Sequence, residues 1–195
     1  MLPHGQGHAA TLPVANCNDS GAGSLRAALA LAQSGDTVDM TALACSKISV
    51  QGSALKISAN DLSLKGPGAN ALTVGIDYAP ASLQDFSVFH HDGSGTLLID
   101  GLRITHTGHA TYPSLSASAS CISSSGTVYL SHSIVTECSA GGVYAGSGFV
   151  ANYSTISDNA QGGVASTYGG ATIRNSTISG TVSYTHLTLP TTPYV

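Results

Sequence analysis

Ser131–Tyr144 reads SHSIVTECSAGGVY, Asn152–Ala165 reads NYSTISDNAQGGVA, and Arg174–Gly180 reads RNSTISG. The three cassettes return roughly every 21 to 22 residues and are built from β-branched residues, Ser, Asn and Gly. A repeat of that length cannot bury an apolar face alone, so it must stack on its neighbours, and short stacked strands are the solution this composition favours. Aligning the cassettes produces columns: Ile104, Val135, Ile156 and Ile178; Ile122, Val143 and Val164; Leu130, Ala151 and Ile173; Val128, Phe149 and Ala171. Like stacks on like at the roughly 4.8 Å spacing of neighbouring strands. Ser133, Ser154 and Ser176 form a polar column, expected as a hydroxyl ladder. Parallel strands joined in this way coil right-handed. The expected fold is all-β, a right-handed parallel β-helix.

Upstream of the cassettes, Leu12–Asn16 is a short candidate strand, and NDSGAGSLRAALALAQSGD contains the one helix signal. Ser24 is its expected N-cap, Leu25, Ala28, Leu29 and Ala32 make one apolar stripe, and Gly35 is expected to end it, giving a helix around 24–34. Such a helix can cover the open end of a strand stack. Period-2 alternation then recurs at Ile48/Val50, Leu55/Ile57, Leu62/Leu64, Leu72/Val74/Ile76, Leu97/Ile99 and Leu102/Ile104. KGPGAN (Lys65–Asn70) reads as a turn, and Gly108–Ala119 as a looped-out insertion.

Charged residues make up only 8% of the 195, against about 25% in ordinary soluble domains. Aliphatic content nevertheless suffices for a core, which excludes a disordered chain. Six Lys plus Arg and a net charge of −4 provide no basic stripe for phosphates, so nucleic acid is not an expected partner. No apolar run reaches the length of a membrane-spanning helix, and no motif asks for a cofactor. Cys17 and Cys45 form an early pair, Cys121 and Cys138 a late one, without CxxC spacing. Two disulfides are expected, with buried free thiols as the alternative.

Residues 1–13 read as a lead-in or signal-peptide remnant, and 14–181 as the β-helix domain. VSYTHLTLPTTPYV (Val182–Val195) breaks the cassette pattern and resembles a translated sequencing-library adapter. On that reading the natural chain runs on past Gly180, and the last coil exposes unpaired backbone through which the chain self-associates.

NDSGAGSLRAALALAQSGDTVDM, the Cys that follows, LSLKGPGA and CISSSGTVYLSHSIVTECSAGGVY together resemble the bacterial right-handed parallel β-helix repeat proteins. These overlap with polymorphic outer-membrane-protein and CSLREA-type sequences. The resemblance spans roughly Val14 to Gly180, and its Ser24-Leu25-Arg26 segment is the most specific part. It implies export to the bacterial cell exterior and, usually, a C-terminal anchor or further domain. It carries no catalytic motif to transfer.

For chemistry, the alignment places Glu137 and Asp158 on neighbouring coils with His106 as their counterpart one coil earlier. Carboxylates one coil apart would stand at about 5 Å, the separation of acid and nucleophile in retaining glycosidases. The competing reading is a solvated ladder at strand ends. FHHDG (Phe89–Gly93) gathers His90, His91 and Asp92, and His106 with His109 gives an HxxH spacing; His90 and Asp92 are the metal candidates. Adjacent strand residues face opposite ways, so His90 and His91 are not expected to share an ion. Arg103 and Arg174 fall in different columns, and Lys47, Lys56 and Lys65 lie early, which disfavours a uronate lyase. The expected function is a non-catalytic, exported β-solenoid of structural or adhesive type, with polysaccharide or cell-surface glycans as partners. The alternative is a β-helix carbohydrate-active enzyme. If the register is right, Ile156→Asp buries an unpaired charge and lowers stability by several kcal/mol, of the order of the about 2–7 kcal/mol for an unpaired polar group. Thermal unfolding is the check, and an unchanged midpoint would refute the register.

Overall fold

The structure, a computed structural model, describes residues 9–77, 87–107 and 120–180. The lead-in 1–8, the insertion 108–119 with His109, and the segment 182–195 lie outside the described residues.

Among the described residues, eighteen short strands wind into three parallel sheets. The first sheet stacks β1 (Thr11–Pro13), β2 (Thr37–Asp39), β5 (Leu62–Lys65), β8 (Thr96–Asp100), β11 (Thr127–Ser131), β14 (Gly148–Asn152) and β17 (Ala171–Arg174). The second stacks β3 (Lys47–Ser49), β6 (Thr73–Ile76), β9 (Arg103–His106), β12 (Ile134–Cys138), β15 (Thr155–Ser157) and β18 (Thr177–Ser179). The third stacks β4 (Leu55–Ile57), β7 (Phe89–His91), β10 (Ile122–Ser124), β13 (Val143–Ala145) and β16 (Val164–Ser166). Each coil visits the three sheets in turn, so a strand always pairs with its counterpart one coil away. This is a parallel β-helix.

All four apolar columns read from the cassettes are in register. Val135 pairs with Ile104 and Ile156, and Ile156 with Ile178. Ile122 pairs with Val143, and Val143 with Val164. Leu130 and Val128 pair with Ala151 and Phe149, which pair with Ile173 and Ala171. The columns continue downward through Leu97, Ile99, Phe89, Leu55 and Val74, all at 1% exposure or less. Coil length is what varies. The spacing is 21 and 22 residues in the last coils, but 31 from Leu102 to Ser133, 35 from Asp61 to Thr96 and 26 from Ala10 to Asp36.

The serine column differs from the expected hydroxyl-to-hydroxyl ladder. Ser154 Oγ accepts from the Ser133 amide (3.2 Å) and donates to the Asn152 carbonyl (3.0 Å). Ser176 accepts from the Ser154 amide (3.0 Å) and donates to the Arg174 carbonyl (2.7 Å), and Ser133 accepts from the Leu102 amide (3.3 Å). Each hydroxyl thus joins the main chains of two coils. The cause is the corner before it: Gly101, His132, Tyr153 and Asn175 all have positive φ, from 45° to 69°. A left-handed corner costs a non-glycine residue about 1–2 kcal/mol, and a bonded serine beside it recovers a comparable amount.

At the N-terminal end, α1 (Leu25–Leu31) is capped by Ser24, whose Oγ accepts from the Ala27 amide at 3.2 Å. Leu25, Ala28 and Leu29 are buried, and the helix lies against β4 and β2. It therefore stands where an earlier strand of the third sheet would be, and covers that edge. Gly35 does not end it: Ala32 does, in an extended conformation, and Gly35 (φ 93°) serves the next turn. The first sheet also begins at β1, inside the stretch read as a lead-in, because Thr11–Pro13 pairs with Thr37–Asp39. Arg26 explains the Ser-Leu-Arg segment. Its guanidinium bonds Asp19 (2.8 Å) and the carbonyls of Ala54 (2.8 Å) and Ser53 (3.0 Å), fastening the cap to the first complete coil.

Both disulfides are formed and no cysteine is free, which removes the thiol alternative. Cys17–Cys45 (Cα–Cα 6.5 Å) ties the cap loop to the segment before β3; Cys121–Cys138 (5.8 Å) lies buried. Such bonds form and persist in oxidising surroundings. Among the described residues, no helix is long and apolar enough to cross a membrane.

Asp36 links these parts. Its carboxylate accepts from the Gln33 amide (2.8 Å) and the Ala10 amide (2.7 Å), which in that order hold its pKa below the ordinary value against the opposing effect of burial. A folded-state value below the unfolded one, about 3.9, gives stability that is complete above that pH and drains away as pH falls through the folded value. Acid titration of stability should therefore show a loss below about pH 4 that Asp36→Asn flattens; an identical acid profile in the variant would refute the assignment.

Candidate functional site

The candidate acids sit where the second sheet ends. Glu137 (φ 57°) and Asp158 (φ 55°) both turn the chain through left-handed backbone and are exposed, and Gly180 (φ 61°) occupies the same place one coil on. A Cβ on Gly180 would lie 2.6 Å from Asp158 Oδ1, so glycine there makes room for the acid below. His106 does not belong to this column. The register shifts between Thr136 and Cys138, Glu137 is the extra residue of a bulge, and His106 pairs with Cys138 instead. The imidazole is consequently buried at 3% exposure, beside Ser139 Oγ at 3.4 Å, while Glu137 faces water. Beneath the bulge lies buried Asn159, whose Oδ1 accepts from the Cys138 amide (3.0 Å) and whose Nδ2 donates to the Val135 carbonyl (3.4 Å). It anchors the corner rather than taking part in chemistry.

Stacked acids are unusual for this protein. The outward column at the end of the first sheet alternates sign, Asp39 against Lys65 and Lys65 against Asp100, as like charges at strand spacing repel. Glu137 and Asp158 break that rule, at exposed positions where water screens them, and no ion pair joins either to a base among the described residues. The arrangement offers hydrogen-bond acceptors. It brings no cation to the same place.

The histidine pair divides as strand geometry requires. His91 points inward at 1% exposure, with Nδ1 2.7 Å from Ser124 Oγ and Nε2 2.9 Å from the Ala59 carbonyl. Both ring nitrogens are thereby engaged in the core. His90 points outward, with Nε2 2.9 Å from Asp92 Oδ1, and Lys56 Nζ stands 4.0 Å from the other oxygen. Among the described residues no three His, Cys, Asp or Glu side chains gather as metal ligands would.

Other basic residues are dispersed. Lys47 pairs with Asp77, and that bond, first among the causes, lowers the Asp77 pKa. Arg26 is committed to the cap, and Arg103 and Arg174 stand on different sheets, in β9 and β17. Two further features lie on outward faces of the described residues. His132 and Tyr153 stack at a 5.3 Å centroid distance and 3° between planes, with His132 Nδ1 3.1 Å from Asp100. On the outer face of the third sheet, Lys56, His90, Ser123 and Tyr144 stand in one register row. Sequence reading found His90 but missed Ser123 and Tyr144; pairing Ile122 with Phe89 across the long coil would have placed all of them together.

No family model, curated protein or solved structure matches the chain.

The two histidines should separate on mutation. His91→Ala leaves a cavity and removes one of the two partners of the Ser124 hydroxyl, at a cost of about 2–4 kcal/mol. His90→Ala should cost under about 1 kcal/mol, as an exposed pair contributes little. Urea unfolding of both variants checks the contrast, and equal losses would refute the inward placement of His91.

Proposed function

We propose that the protein is an exported bacterial β-solenoid that acts at the cell surface or after secretion as a non-catalytic structural or adhesive module. The observation that carries this reading is an outward row of the second sheet, Thr105, Thr136, Ser157 and Ser179, which repeats small hydroxyl side chains coil by coil on a body whose coils are joined by the serine bridges and two disulfides. Rigid, repeated rows favour many weak contacts with a repeating partner, and avidity makes such contacts sufficient. Polysaccharide or cell-surface glycan, itself a repeating chain, is the partner class we propose. The oxidising surroundings implied by the disulfides accord with export.

The stacked pair Glu137 and Asp158 supports a second reading, a carbohydrate-active enzyme using neighbouring carboxylates. The dispersal of Arg103, Arg174 and Lys47 weighs against its uronate-cleaving form, which needs positive charge beside the substrate carboxylate.

The intact chain should bind members of a glycan array or adhere to cells while releasing no reducing or unsaturated ends from a polysaccharide panel. Cleavage that disappears in the Glu137→Gln/Asp158→Asn double variant would overturn the non-catalytic reading in favour of the second. Cleavage is therefore measured on parent and double variant together.

A further inference from the structure

We infer that the outer face of the third sheet holds an uncharged, hydroxyl-rich pyranose chain, laid along the axis on the row Lys56, His90, Ser123 and Tyr144. The inference rests on the glycan-binding reading above and names its site.

Four observations lead there. The row is contiguous: Lys56 pairs with His90, His90 with Ser123, and Ser123 with Tyr144, so four side chains of the same face follow one another coil by coil. Three strand spacings of about 4.8 Å give a line of roughly 14 Å, which suits an extended ligand rather than a compact one. Second, two members of the row are held in place. Asp92 holds His90 at 2.9 Å, and Thr167 Oγ1 donates to the Tyr144 hydroxyl at 2.8 Å.

Third, Ser123 is only 6% exposed, yet its hydroxyl has no hydrogen-bond partner among the described residues. Buried polar groups are nearly always bonded, and one left without a partner at the floor of a row of polar side chains is satisfied by a group supplied from outside. A sugar hydroxyl both donates and accepts, as this position requires. Its equivalent on the inner face, Ser124, is fully engaged by His91 and by the Gly126 amide (3.0 Å), so the lack belongs to the outward side alone.

The fourth observation concerns the charge of the ligand. Asp92 flanks the row beside His90 with 48% of its side chain exposed, and Lys56 in the row has 73% exposed. A carboxylate beside an ammonium offers an acceptor and a donor at once, which vicinal hydroxyls use together. The two opposite charges offset each other, so the face offers a polyanion no net attraction from this pair. Tyr144 adds a half-buried ring against which the C–H face of a pyranose can pack. Nothing in the row is hydrophobic enough to favour an apolar peptide or lipid.

The test is calorimetric titration of the whole chain with hexasaccharides of β-1,4-glucose, β-1,3-glucose and β-1,4-mannose, and with a hexagalacturonate. At least one uncharged chain should bind, and the galacturonate more weakly. Tyr144→Ala, Asp92→Asn and Ser123→Val should each weaken binding about tenfold, the loss of one good contact. Tyr144→Phe should keep most of the affinity, and Tyr153→Ala, on the His132 stack, should change nothing. Circular dichroism of each variant verifies that the coils are intact, and the exposed positions Asp92 and Tyr153 keep the comparison informative if Ser123→Val perturbs the sheet. Parent binding that survives all three row substitutions would overturn this site while leaving the glycan-binding reading standing. Preference for the galacturonate, or no binding of any uncharged hexasaccharide, would overturn the inference itself.

Discussion

Hydrogen bonding between one coil and the next, at a single shared register, is the constraint under which every other feature of this protein was assembled. Because each strand pairs only with its counterpart a coil away, a residue is repeated in kind by whatever stands above and below it. Inside, that places Val135 on Ile104 and Ile156 on Val135, and the column closes without gaps. Outside, the same rule makes charge hazardous, since a row of like charges at strand spacing would repel along its whole length. The low charge content follows from this, as does the alternation of Asp39, Lys65 and Asp100. Uncharged side chains repeat without that penalty, as Thr105, Thr136, Ser157 and Ser179 do on the second sheet and Leu98, Tyr129 and Val150 on the first.

A register that propagates needs a starting edge that does not recruit strangers. The helix Leu25–Leu31 supplies it for the third sheet, and Arg26 and the Cys17–Cys45 bond fasten that helix and its loop to the first full coil. The segment most diagnostic in the sequence is accordingly explained by end protection, with Ser24 starting the helix, Leu25 buried beneath it and Arg26 holding the turn at Gln51–Ala54.

How far the sequence could be read depended on coil length. From Val128 onward the coils are 21 and 22 residues long, and simple alignment placed Ile156, Val143 and Phe149 in their columns. Earlier coils run to 26, 31 and 35 residues, so Leu55 and Ile122 were read as strand residues without being joined through Phe89 into one stack. His106 went astray for a related reason. The bulge at Glu137 adds one residue to its coil, and a column drawn by counting slips by one there, exchanging an outward acid for an inward imidazole. The left-handed corners at His132 and Tyr153 were illegible because neither residue type advertises that conformation; only the serine that follows each of them does. Ser123 carried no signal of its own, and its interest arises from what fails to surround it.

The bond between Cys121 and Cys138 joins the entrance of β10 to the exit of β12, two points 17 residues apart on the same turn of the solenoid. That turn is thereby a closed ring. A pull applied to the carboxyl end would peel away the coils above one at a time, each letting out its full contour, until it reached the ring and could draw out no slack from within it. The force would then cross from Cys138 to Cys121 through the sulfurs, so the residues between them would add nothing to the length of the drawn-out chain.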